Sequence, residues 1–344
     1  MRRVGRLLAA AVALPFVVGI AAAGATSAPR ATVELTFADP AIVESSGLVA
    51  RDGLVVTVND SGDTGRVFTV DRGTGETVGV TTWADDPEDV EAVAPAGPGE
   101  VWVADTGDNG EKRASVSVTR VPVGRGDRDV RGEVTSYELV YPDGPHDAET
   151  LVVEPRTGRL AIVTKGVFGG IVMLAPARLD ADAPNRLQPI GNARAIATDG
   201  AFWPDGRHVV VRGYSSAAVY TWPGLELVDR FDLPDQMQGE GITVDEDGVV
   251  LISSEGAQSE VLRVRLPRRV ARAVAPLPPP SPTSSAVPGD PSSTLPAAEP
   301  TPDPDISGDP DELVGGRSAW PYAVGLGFGV VMLGLLVRSL RPRG

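Results

Sequence analysis

Residues 146–165 read HDAETLVVEPRTGRLAIVTK: two short apolar runs, LVV and LAIV, separated by a turn that holds Pro155, Thr157 and Gly158. Runs this short, bounded by turn residues, are strands rather than helices, and the short connection makes them an antiparallel hairpin. Glu149 opens the first strand and Lys165 closes the second, so the hairpin carries both to the same end.

The pattern returns four more times. SSGLVARDGLVVTVNDSGD from Ser45, EAVAPAGPGEVWVADTGD from Glu91, TDGAFWPDGRHVVVRG from Thr198 and EGITVDEDGVVLISSEG from Glu240 each show a polar start, an apolar strand, a turn rich in Gly, Asp or Pro, and a second apolar strand. A spacing of about 45–58 residues is that of a four-stranded propeller blade. Further strands follow each pair: RVFTVD and TVGVTTWA, VSVTRVPV and TSYELVYPD, GIVMLAP and RLQPIG, AAVYTWP and LELVDRFDLPD. The fifth repeat supplies only VLRVRLP, and its missing outer strand is available as ATVELTFA, residues 31–38. The expected fold is all-β, a five-bladed propeller of four-stranded blades over residues 31–268, closed by pairing the N-terminal strand with the last blade. Six blades is the alternative, if one of the longer repeats holds an extra sheet.

Both ends of the chain read as addresses. Arg2, Arg3 and Arg6 before an apolar run, with small residues at Ala23–Ala25, predict a signal peptide over 1–25. Residues 273–318, dense in Pro, Ser, Thr and Asp, predict an extracellular linker. Residues 319–340 are apolar over the ~20 positions a membrane span needs, and the arginines after them place 341–344 in the cytoplasm. The expectation is a single-pass protein of the cell membrane that displays its propeller outside.

Composition narrows the partners. A net charge of −15 and a pI near 4.6 exclude the basic footprint that nucleic acid requires. The absence of cysteine excludes disulfides and thiolate metal sites. Oligomeric state is not legible.

Applied to all five repeats, the hairpin geometry collects Glu44, Glu91, Glu149, Asp199 and Glu240 at strand starts, and Asp60, Asp105, Lys165, Arg212 and Glu255 at strand ends. One face therefore carries a ring of carboxylates interrupted by two cations. Crowded like charges raise one another's pKa unless a cation sits among them, and all-oxygen donors favour Ca²⁺ or Mg²⁺. The candidate metal ligands are Glu44, Asp60, Glu91, Asp105, Glu149 and Glu240. Lys165 and Arg212 are candidate anion anchors. His146, three residues before Glu149, and Glu149 itself are the candidate catalytic residues, one or the other as proton-transfer group. The same carboxylates can instead cap turns and tie neighbouring blades, and Asp60–Asp63 and Asp105–Asp108 also fit Asx turns. No G-x-S-x-G, S-x-x-K, H-E-x-x-H or G-x-x-x-x-G-K is present in the folded unit.

Asp89-Val90-Glu91, Asp147-Ala148-Glu149 and Gly239-Glu240-Gly241, with Asn59-Asp60-Ser61-Gly62-Asp63 and Tyr141-Pro142-Asp143-Gly144, resemble motifs of secreted bacterial propellers of the phytase-like and esterase-like group. The resemblance covers residues 43–266. In phytases of this architecture an acidic rim holds calcium and basic side chains hold phosphate. The likeness thus implies rim chemistry for Glu91, Glu149, Glu240, Lys165 and Arg212. Two functions are expected from this reading. The first is a surface binding or sensing module that presents its acidic rim to a small anion, a wall polymer or a protein. The second is a calcium-dependent hydrolase of phosphate or carboxylate esters. The first is preferred, because no nucleophile or complete ligand motif is visible.

Overall fold

The computed structural model describes residues 31–276, Ser61 excepted. The expected signal peptide, transmembrane helix, cytoplasmic tail and nearly all of the linker lie outside the described residues. Among the described residues no helix is long and apolar enough to cross a membrane.

The chain opens with β1 (Ala31–Thr36) and then builds blade 1 from β2 (Ser45–Arg51), β3 (Leu54–Asn59), β4 (Gly65–Asp71) and β5 (Thr77–Ala84). Blade 2 holds β6 (Val90–Gly97), β7 (Glu100–Asp105), β8 (Val116–Pro122) and β10 (Ser136–Val140), with β9 (Arg128–Asp129) in the connection before its last strand. Blade 3 holds β11 (Ala148–Val153), β12 (Leu160–Thr164), β13 (Gly170–Leu174) and β15 (Gln188–Ala193), with β14 (Asn185–Arg186) placed likewise. Blade 4 is β16 (Asp199–Phe202), β17 (His208–Arg212), β18 (Ser216–Thr221) and β19 (Leu227–Asp232). Blade 5 is β20 (Gly239–Val244), β21 (Val250–Ser254) and β22 (Glu260–Val264), completed by β1 in the order β1-β22-β21-β20.

Closure by the N-terminus is therefore real: Ala31 pairs with Val264 and Thr36 with Glu260, antiparallel. Every sheet is complete within the described residues, so the ring contains all of its own pairing partners. The length that left six blades open goes elsewhere. β9 leaves blade 2 to pair parallel with β5, and β14 leaves blade 3 to pair parallel with β10. Each long connection thus covers the outer edge of the preceding blade, which an exposed strand edge requires.

Burial falls from the hub outward. The inner strand β2 is buried at six consecutive positions, whereas β5 alternates and β19 is mostly uncovered. The inner strands contact one another in the cyclic order β2, β6, β11, β16, β20 and back to β2. No single central core results. Five apolar clusters fill the five clefts between neighbouring blades. Leu35 of β1, with Phe37 and Ile42 beyond it, belongs to the cluster between blades 5 and 1. Turn chemistry fixes the hairpins: Asp52 and Gly53, between β2 and β3, both have positive φ (52° and 73°), as a two-residue type I′ turn needs. A short helix, α1 (Arg268–Ala273), seats Val270 in the cleft between blades 4 and 5. Ala273, expected to open the linker, is its last residue.

Candidate functional site

The first pairs of the five inner hairpins are Ser45 with Asn59, Val90 with Asp105, Ala148 with Thr164, Asp199 with Arg212 and Gly239 with Ser254. All five lie at one end of the axial channel. In blades 1, 2, 3 and 5 the register then slips by a β-bulge. The extra residue is Ser46 in blade 1, Glu91 in blade 2 and Glu149 in blade 3, with Glu240 in the corresponding slip of blade 5. A bulge turns a side chain out of the regular pleat, and here it collects three glutamates at the channel mouth. Ser46, rather than Glu44, is the blade 1 member of that set. Glu44 lies just before the strand, bridged to Glu255.

The three glutamates are no more than 5% exposed, which for carboxylates demands compensation. Little is supplied. Ser46 Oγ donates to the Glu91 carbonyl at 3.0 Å and touches Oε2 at 3.5 Å. Burial, then the charges of Glu149, Asp60, Asp89 and Asp147, push the Glu91 carboxyl up to about 10. Burial holds Glu149 at about 8 even though Lys165 opposes the rise, with Glu240 and Asp147 adding to it. Burial also lifts Glu240 to about 7, against the cations Lys165 and Arg212.

Asp89, which composition and spacing did not single out as a ligand, joins them. One carboxylate oxygen each from Asp60, Asp89 and Glu91 lies within 4.8 Å of the other two. Burial and the neighbouring charges of Asp60 and Asp147 raise Asp89 to about 6. Asp105, expected as a ligand, instead braces this group. Its carboxylate accepts the backbone N–H of Glu88 and of Asp89, each at 3.0 Å, and pairs with Arg113 at 2.8 Å. Two further features lie beside the cluster. Glu149 Oε2 is buried without a hydrogen-bond partner. Gly107 lets Asp89 and Glu91 pack directly on its backbone: a Cβ there would lie 2.6 Å from Glu91 Oε1 and closer still to the Asp89 carboxylate.

The cations are already engaged. Lys165 Nζ pairs with Glu149 Oε1 and sits 5.6 Å from the centroid of the Tyr214 ring. Burial works against its charge, but Glu149 and Tyr214 more than offset this and hold it above the usual lysine range. Arg212, offered as an anion anchor, is fully buried. Its guanidinium donates to the carbonyls of Gly241, Ser253 and Tyr214 and to Gln236 Oε1, all between 2.9 and 3.3 Å. Burial lowers it to about 10, so it stays charged and acts as a strut between blades 4 and 5. Asp199 crosses the same cleft, accepting from the N–H groups of Gly200 and Ile242 at 2.7 Å each. His146 turns to Asp143, 2.9 Å from Nε2, and stands edge-on to Tyr141.

The fold and its charged mouth define a single-ring, five-bladed β-propeller. No family model and no curated protein matches the chain. Among solved structures it is similar to a glucose dehydrogenase at 12% identity, over 70% of this chain and 100% of that one, with a TM-score of 0.42. A second glucose dehydrogenase is 14% identical over 65% of this chain and 83% of its own, at 0.37. The PQQ-bound aldose sugar dehydrogenase of Streptomyces coelicolor is 11% identical over 69% and 99%, at 0.41. Likeness at this level carries no inference about activity or cofactor, and the blade count rests on the strand pairing itself.

Proposed function

We propose that the chain is a binding module whose acidic channel mouth takes a divalent cation at Asp60, Asp89 and Glu91. The observation that supports this most strongly is the convergence of those three carboxylates, with Asp89 and Glu91 packed directly on the backbone of Gly107, where any side chain would displace them. Hard oxygen donors of this kind select Ca²⁺ or Mg²⁺ over zinc, and calcium's tolerance of irregular oxygen shells suits this set better than the strict octahedron of magnesium. The cation would neutralise charges that burial otherwise drives to protonation. Glu149, with one oxygen unpartnered, and Glu240 line the same mouth.

A calcium-holding acidic rim is also what the resemblance to phytase-like propellers implies. The hydrolase alternative fits less well. It takes His146 or Glu149 as proton-transfer group and Lys165 or Arg212 as anion anchor, but His146 is committed to Asp143, Arg212 is spent on carbonyls, and Lys165 and Glu149 are paired with each other. Display on the outside of a cell membrane completes the reading; protease added to intact cells would then release the propeller, and full protection would refute that placement. Melting the protein in millimolar calcium and in chelator tests the cation site. Stabilisation by calcium supports it, since a ligand at a hundredfold excess over its Kd adds ~2.7 kcal/mol. Coincident curves refute it.

A further inference from the structure

Among the described residues eight large apolar side chains stand exposed, and six of them, Val43, Val167, Phe168, Ile196, Tyr214 and Met237, lie in loops at the acidic end of the channel. Phe168, Met237 and Val167 are 104%, 88% and 71% exposed, so nothing among the described residues covers them. Such side chains scattered singly mean little, but a contiguous set marks a contact surface.

The loops that carry them are joined edge to edge. Ile196 N–H donates to the Gly166 carbonyl at 3.1 Å, linking the Val167-Phe168 tip to the next loop. Leu233 N–H donates to Ser215 at 2.9 Å, Glu255 to Gln238 at 3.0 Å and Gly256 to Val43 at 2.7 Å. The loops that carry the apolar residues therefore form an arc over blades 3, 4 and 5 to the start of blade 1. Across the mouth, blades 1 and 2 present the two aspartates and the glutamate of the cation cluster. Charge also varies along the arc. Arg194 and Arg230 flank Phe168 in a depression of about 330 Å³. At the other end, Met237, Asp235 and Glu255 line a second depression of about 270 Å³, and Glu255 faces Glu44 across a single bridge.

We infer that this arc docks a protein segment that lays apolar side chains on Val167, Phe168 and Met237 and points a lysine or arginine at Glu255 and Glu44. The inference rests on the reading of this end as a binding face, and it names what binds there besides a cation. Charge complementarity selects the occupant. Two adjacent glutamates disfavour an acidic segment and an anionic lipid surface alike, and a basic side chain both neutralises the pair and directs association. The apolar arc supplies the contact area that charges at a rim do not.

The test is selection of a random phage-displayed peptide library on the immobilised full chain, with calcium present. Enriched sequences should share a Lys or Arg next to aliphatic or aromatic residues. Their binding should fall at least tenfold on Phe168→Ser with Met237→Ser and on Glu255→Gln, and be unchanged on Val33→Ser or Leu227→Ser, which alter exposed apolar residues elsewhere. All of these positions are open to solvent or half-open, so the variants fold. A consensus without a basic residue, or binding indifferent to Phe168 and Met237, overturns the inference. So does capture of the protein by phosphatidylcholine vesicles that Phe168→Ser abolishes, which would make the arc a membrane contact. Calcium-dependent melting read on the Phe168→Ser, Met237→Ser protein separates the two readings: it persists if only the docking arc is wrong.

Discussion

Gly107 is packed so closely on Asp89 that a Cβ at position 107 would overlap the Asp89 carboxylate. The φ of Gly107 is not in the left-handed region, so the constraint is space and not backbone conformation. Gly107→Ala should displace Asp89 and Glu91 while leaving the blade intact. A thermal melt should then show the calcium-induced shift reduced by more than half, with the chelator midpoint within a few degrees of wild type.

Removing a carboxylate tests the same point with opposite signs. Without a cation, Glu91 and Asp89 are destabilised by burial and by each other, so Glu91→Gln or Asp89→Asn should raise the melting temperature in chelator or leave it unchanged. In millimolar calcium each should lower it. Glu149→Gln and Glu240→Gln should follow the same pattern more weakly, and Glu76→Gln, at an exposed turn, should respond to neither condition.

Dependence on pH follows from the raised carboxylates. A carboxyl held at a higher pKa in the folded state binds more protons folded than unfolded, so stability is greatest while it is protonated and is lost as pH rises. The loss begins above the unfolded value near 4. It continues through about 6 for Asp89, 7 for Glu240, 8 for Glu149 and 10 for Glu91. In chelator the midpoint should fall by several degrees between pH 5 and pH 9. Calcium, which favours the charged forms, should flatten that slope or reverse it.

Closure is tested by deleting residues 31–38. The deletion removes β1 from blade 5 and takes Leu35 and Phe37 out of the cleft between blades 5 and 1. Two large buried side chains and a newly open edge cost on the order of 5 kcal/mol, close to the whole stability of an ordinary domain. Denaturant titration should show a soluble fold lost or nearly so, whereas an equal deletion after residue 276 should leave the midpoint unchanged.

Arg212→Ala should be among the most damaging single changes. It strands the Gly241 and Ser253 carbonyls and leaves Asp199 buried without its neighbouring cation, at ~3–5 kcal/mol. A loss of stability that is equal in calcium and in chelator is the signature of a strut. A loss confined to one of the two conditions would return Arg212 to the binding site.

The blades were legible because each hairpin repeats a strand-turn-strand pattern whose inner runs, such as LAIV of β12, are wholly apolar. The missing fourth strand of blade 5 pointed to β1 for the same reason. β9 and β14 were not legible: two residues each carry no alternation, so their loops looked long enough to hold a sixth sheet. The acidic end was legible as a face but not as a site. Spacing counts residues, and a bulge adds one, which is why Ser46 and not Glu44 matches Glu91 and Glu149. Asp105 and Asp89 have the same chemistry in sequence. Only the two N–H groups donated to Asp105 reveal that one carboxylate holds the loop and the other is left facing the cluster.

Anomalous diffraction from a crystal of the protein grown with calcium tests the central claim most directly. The account predicts one strong difference peak within ligand distance of Asp60, Asp89 and Glu91, and none from a crystal of Asp89→Asn grown alongside. An empty channel mouth at millimolar calcium, or a peak held only by residues elsewhere, would contradict it.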